Sequence, residues 1–268
     1  MLGGPVLELA QMQAWVRARI GLMPDDARWH YIADAVELDN LIERMRDNGL
    51  AYWVRELPRS PSTGAIEDHL DARLAGLLFE LGRMLPARWR GLRPWLNTGA
   101  RLLYLGRLSE ETELDDTQLK DPWLRALSRL SPPERREQLR RSVYQDYVTS
   151  DAPLDLWIAE FSRHRPAVTE REGYMIGRLQ RLLDQHRFDI EALSRAALSA
   201  SPDHAAQWRL RGELAQRLRA LLGGSPFHAT LMLIYGLLEA LQYERCRALL
   251  LSRARNWQRP ELALGGAA

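Results

Sequence analysis

Cysteine is nearly missing: the chain of 268 residues holds one, Cys246. No internal disulfide can form and no cysteine-based metal cluster can be built, which suits a reducing cytoplasm. Lysine is as scarce. Of 37 basic residues one is lysine, Lys120, and the other 36 are arginine. The skew runs through every segment, so it reflects genome composition, and single arginines carry little weight as phosphate or carboxylate clamps. Charge of one sign is also missing, with 37 basic against 35 acidic residues and a net charge of +2. That balance argues against a protein whose main work is gripping nucleic acid. Long apolar runs are absent too. The greasiest, "LMLIYGLLEAL" (231–241), is about half of the roughly 20 residues that a spanning helix needs. The opening "MLGGPVLELAQMQAW" lacks a basic stretch followed by an apolar core, so no signal peptide is expected.

Catalytic signatures are missing as well. There is no GxxxxGK[ST] loop, no GxGxxG after a strand, no HExxH and no GxSxG elbow. The six histidines, at 30, 69, 164, 186, 204 and 228, are scattered, and no Glu-x-x-His pair of a di-iron bundle occurs. Only Asp26/His30 and Glu160/His164 set a carboxylate four residues before a histidine. Asp203-His204 follows a helix-starting Ser-Pro, where an acid serves the helix dipole rather than a catalytic dyad. No catalytic residue, cofactor site or metal site is therefore expected.

What the chain does have is helical periodicity. Met12, Trp15, Val16 and Ile20 form one stripe, Leu74, Leu77, Leu78 and Leu81 a second, and Ile234, Leu237, Leu238 and Leu241 a third. β-Branched residues are sparse, and no Asn-Gly or Asp-Gly turn joins two alternating runs, so no strand is expected. Ser131-Pro132, Ser201-Pro202 and Ser225-Pro226 read as helix starts, a hydroxyl cap followed by a residue pre-set for the first turn. Breaks fall at 57–64, 109–117, 148–153 and Pro166. The expectation is an all-α array of ten to thirteen helices in two or three subdomains: 1–108, 109–222, and 223–268 packing back on the N-terminal part. Segments 29–54 and 122–148 share a loose layout, a Trp-led start, a helix and a closing aromatic cluster.

Nine tryptophans stand mostly on apolar faces, and Trp257, beside Arg255 and Arg259, is the one expected at a surface. Cys246 reads as a small core residue in line with Leu249 and Leu250. The run "RREQLRR" gathers Arg135, Arg136, Arg140 and Arg141 on one helix. With Glu134 and Glu137 it reads as a solvated face, or as a docking surface for an acidic partner.

Two regions resemble the C-subunit family of A/V-type rotary ATPases, whose eukaryotic V-type members are known as d-subunits. One is "MQAWVRARIGLMPDD", with Ala14, Arg17, Ala18 and Arg19, followed by "ADAVELDNLIERMRDNGLAYWV", closed by Tyr52. The "AIEDHLDARLAGLLFELGRMLPARWRGLRPWLNTGARLLYLGRL" stretch that follows is similar in layout to the family's next part, a helix that starts with an acid and carries an aliphatic-rich face. The other region is "EALQYERCRALLLSRARNWQRPELAL", through Glu244, Arg247, Leu250, Arg253, Pro260 and Glu261. The family's Asp-x-x-Asn helix start is reduced here to Asn97.

The resemblance implies three helical subdomains around a pseudo-threefold axis, forming a funnel. It implies a non-catalytic cytoplasmic adaptor, peripheral to the inner membrane, that couples the central shaft to the membrane rotor ring for proton or sodium transport. It needs no cofactor, binds no nucleic acid and does not span the membrane. The apolar half of the last helix would be core, and its basic half would cap the subdomain or face a partner. Arg135, Arg136, Arg140, Arg141, Arg253 and Trp257 are the expected partner contacts. Three other readings stay open: a helical-repeat scaffold, an all-α small-molecule binder with His164, His186 and His204 converging, and a nucleic-acid binder using "RREQLRR" and "RARNWQR".

Overall fold

A computed structural model describes residues 4–85, 87–92, 95, 98, 126–127, 129–142, 144–149, 153–164, 170–186, 204–223 and 230–254. Among these residues eleven α-helices follow in chain order: α1 Gly4–Leu22, α2 Asp26–Ala33, α3 Leu38–Met45, α4 Ala51–Val54, α5 Thr63–Met84, α6 Pro132–Arg140, α7 Gln145–Thr149, α8 Pro153–His164, α9 Glu170–Gln185, α10 His204–Gly223 and α11 Thr230–Ala254. A wide turn, Arg46–Leu50, joins α3 to α4, and a 3₁₀ turn covers Ala87–Leu92. The fold is all-α, with no strand among the described residues. No described helix is long and apolar enough to cross a membrane.

The helix ends follow from local chemistry. Asp25 caps α2 by accepting from the Arg28 amide at 2.9 Å, and Ser62 caps α5 by accepting from the Ala65 amide at 3.2 Å. The break at 57–64 thus ends in a cap of its own. Ser131 opens α6 as its sequence predicts, in a capping box with Glu134. The Ser201 and Ser225 starts, the 109–117 break and Pro166 lie outside the described residues. Between α3 and α4, Gly49 takes φ +88°, and a Cβ there would lie 1.7 Å from the Leu22 carbonyl oxygen. Glycine alone lets this turn press against the end of α1.

The chain forms two compact units, Met1–Pro86 with Ser201–Ala268, and Ala87–Ala200. In the first, α11 packs against α5, α10, α1 and α3. It is buried along its length, so a helix that carries charge in its second half still lies at the centre. Met12 and Val16 of α1, Leu77 and Leu81 of α5, and Ile234 and Leu238 of α11 are buried, while the other stripe members are part-exposed. The joint expected at 222/223 falls inside this unit, because α10 buries Trp208, Leu214, Leu218 and Leu221 and packs on α11. The 108/109 joint lies outside the described residues, and the unit boundary falls at 86/87 instead.

The second unit is built around a tryptophan pair. Trp95 and Trp157 stack at 4.2 Å and 8°, with Phe161 4.9 Å from Trp95. Each indole N–H donates to the other's backbone carbonyl, at 2.8 and 2.9 Å. Two large apolar groups are thereby buried with no polar atom left over. Tyr147 of α7 donates to Glu160 of α8, tying these short helices together. In the two loosely alike segments, α3, a turn and α4 correspond to α6, a turn and α7 in order and length.

Candidate functional site

The densest chemistry in the described residues lies along α11 in the first unit. The 231–241 run makes α11 a core helix, and hydrophobic burial drives it to the centre. The same burial carries Glu239, Arg245 and Arg253 inside with it. A charged or polar group held there costs free energy unless it is matched, so each bonds to a group of a neighbouring helix.

Glu239 sits near the middle of the helix and is 5% exposed. It accepts from the Tyr235 hydroxyl and, at 3.1 Å, from the Trp53 indole N–H of α4. Burial raises its carboxyl above the ordinary value, against the pull of these two donors and the field of Arg19. Arg19 of α1 lies 4.8 Å from the ring centres of both Trp15 and Tyr52, and Trp15 meets Tyr235 edge-on at 5.3 Å. The same burial, with Glu239 beside it, holds the Tyr235 phenol well above its ordinary value.

One and a half turns on, Arg245 is enclosed by aromatic faces. Its guanidinium lies 5.2 Å from Trp29 and 4.7 Å from Trp208, which themselves meet edge-on at 5.4 Å. It donates to the Trp208 carbonyl at 3.3 Å and faces Asp26 at 3.8 Å. Burial lowers its pKa to about 10, partly offset by Asp26, so the group stays cationic at neutral pH. Asp26 also accepts from Gln216 at 2.7 Å, so the start of α2, α10 and α11 meet at this carboxylate. His30, four residues after Asp26, engages the Asp26 backbone oxygen at 2.6 Å rather than its carboxylate.

Towards α5, Arg247 pairs with the buried Glu67 at 2.7 Å, and Tyr243 donates to Asp71. Burial raises the Asp71 carboxyl, opposed by the Tyr243 hydrogen bond. Towards α10, Glu244 faces Arg211 at 3.8 Å, and burial lowers the Arg211 value. Cys246 has no exposure, and burial drives its thiol well up, so it is a packing residue.

Two of the residues expected at a partner surface lie inside instead. Arg253, 8% exposed, donates to the Ala35 carbonyl at 2.8 Å and the Ala33 carbonyl at 2.9 Å. It closes the end of α2, whose last carbonyls have no helical partner. Arg135, 5% exposed, donates to the Leu127 and Leu130 carbonyls at 3.2 Å each, on the chain just before α6. In both cases a guanidinium fork satisfies two carbonyls at once, and the aliphatic stem is buried with it. Arg136, Arg140 and Arg141 are exposed, Arg141 pairing with Glu137 at 2.7 Å. Trp257 lies outside the described residues.

Sequence reasoning did not pick out Glu239 and Arg245, and noted Asp26 only for its spacing to His30. The available signal was one acid inside the 231–241 apolar run, a position where only a partnered charge survives. His186 is buried in the second unit, and the side chains of His164 and His204 lie outside the described residues, so no histidine convergence is drawn. No cluster of three or more histidine, cysteine or acidic side chains is placed to hold a metal among the described residues. What the α11 arrangement does chemically is match buried charge between helices. Comparison with family models, with curated proteins and with solved structures gives no match for this chain.

Proposed function

We propose that the chain is a non-catalytic adaptor of a rotary A/V-type ATPase, joining the central shaft to the membrane rotor ring and passing torque for proton or sodium transport. What supports the reading, beside the resemblance of its two end regions, is the setting of α11. Glu239, Glu244, Arg245, Arg247 and Arg253 tie this one helix to α4, α10, the start and end of α2, and α5. A torque-passing part must resist sliding between its helices. Apolar ridges slip by one turn at modest cost, whereas buried charge pairs are satisfied in one register only. On this reading the adaptor is cytoplasmic, needs no cofactor, and reaches the membrane only through its complex.

The exposed arginines on and just after α6, Arg136, Arg140 and Arg141, favour a second reading, a helical scaffold that grips an acidic protein. One experiment separates the two. The tagged protein is purified from its own host in mild detergent, and the co-purifying chains are identified by mass spectrometry. Shaft, catalytic-head and rotor-ring proteins in fixed proportion are expected, with recovery falling several-fold for R140E/R141E. If the ATPase is intact in the extract and none of its components is recovered, the adaptor reading is wrong.

A further inference from the structure

Glu239 is a buried acid whose two oxygens meet only neutral donors, the Tyr235 O–H and the Trp53 N–H. Among the described residues the one cation acting on it, Arg19, does so through its field, stacked on Trp15 and Tyr52 and partly turned towards Glu80, 3.9 Å away. Both the Arg19 charge and the Trp15 ring that abuts Tyr235 belong to α1. The other ionisable groups whose fields couple to Glu239 are Tyr52 of α4, and Tyr235 and Cys246 of α11 itself. The charged residues of the remaining helices around α11 face other partners: Asp71 faces Tyr243, Glu67 faces Arg247, Arg211 faces Glu244 and Asp26 faces Arg245.

We propose that the α1–α11 contact is a proton-linked latch, closed over the neutral Glu239 carboxyl and released when that carboxyl ionises. In the closed state the carboxyl holds its proton while one of its oxygens accepts from the Tyr235 hydroxyl. The other carboxyl oxygen accepts from Trp53. When the proton leaves to water, a full negative charge remains in a site with no cation in contact among the described residues. Lifting α1 takes the Trp15 ring off Tyr235, the partner of Glu239, admits water beside the carboxylate and lowers that cost. The sign follows from linkage. The closed state holds the proton to higher pH than the open one, so opening grows as pH rises from the ordinary carboxylate range to the closed-state value, by at most about tenfold per pH unit for one proton.

Amide hydrogen exchange along residues 10–22, corrected for intrinsic rates and followed against pH by mass spectrometry, tests this. In the wild-type chain α1 loses protection as pH rises through the Glu239 titration. Glu239→Gln, a neutral side chain that can donate to Tyr235 and accept from Trp53, keeps α1 closed throughout, with protection at high pH above wild type. Asp71→Asn, at the other raised acid, leaves the wild-type pH dependence in place. Should Glu239→Gln fail to fold, Tyr235→Phe is read instead. Loss of the hydroxyl that favours the ionised carboxyl raises the closed-state value further, so the rise of α1 opening runs on to higher pH and ends at a higher level. An α1 protection profile that is flat in wild type, or equally steep in Glu239→Gln, overturns the proposal. So does an unmoved profile in Tyr235→Phe.

Discussion

A single guanidinium, that of Arg245, shows how far a residue's role depends on what surrounds it. Two tryptophan faces, a carbonyl and a carboxylate from neighbouring helices enclose it. Lysine keeps the charge but loses the flat face that stacks on two rings and the fork that reaches two acceptors. Arg245→Lys is therefore expected to lower stability by about 2–4 kcal/mol, read as a shift of the urea midpoint at unchanged slope. A shift below about half a kcal/mol would show that the aromatic enclosure contributes only packing. This role was not legible in the sequence. "ERCRALL" places Arg245 one residue from Cys246, and spacing alone does not distinguish an arginine between two indoles from one in water.

At the scale of elements, the sequence speaks most clearly where the interaction is local. Ser131-Pro132 with Glu134 three residues on from the serine marks the start of α6, and the Glu134 carboxylate accepts from the Ser131 amide at 3.0 Å and from its hydroxyl at 2.6 Å. These bonds hold the Glu134 carboxyl below its usual range. Its contribution is thus fully present above the unfolded-state value and is lost as pH falls through the lower folded one. In Ser131→Ala, amide protection in the first turn of α6 drops at neutral pH, and the gap from wild type closes at acid pH. A gap that persists in acid would assign it to the serine hydroxyl alone. The stripes of α1, α5 and α11 were legible for the same reason, since period and burial are set within one helix. Arg135 and Arg253 were misjudged because the carbonyls they close belong to other segments, 5 to 220 residues away. In a chain so rich in arginine, residue type does not separate an internal cap from an exposed contact.

For the whole molecule, the all-α class was legible and the grouping of helices was not. Apolar stripes say that α10 and α11 bury a face, but not against whom. The choice between α9 and α11 as neighbour to α10 rests on shape and on charges such as Arg211 with Glu244. The second unit is one continuous stretch, Ala87–Ala200, with its own tryptophan-centred core. A polypeptide of residues 87–200 is expected to stay helical by circular dichroism and to unfold cooperatively. Trp157→Ala, which removes the stack and the hydrogen bond from the Trp157 indole to the Trp95 carbonyl, lowers its stability by about 3–5 kcal/mol. A non-cooperative, denaturant-insensitive signal from the intact 87–200 polypeptide would deny it the standing of a folding unit.

The first unit is made from both flanks of that stretch, and this sets the order of events at the ribosome. Helices α1–α5 emerge early, yet the helix they enclose is not synthesised until residues 87–200 have passed. At common elongation rates of about 5–20 residues per second, that interval lasts on the order of 10 s. Throughout it, Leu41, Met45, Ile66, Leu70 and Trp53 lack the surface they will cover. The nascent chain thus has a window of chaperone dependence whose length scales with translation speed, and slow codons within 87–200 would lengthen the period of risk.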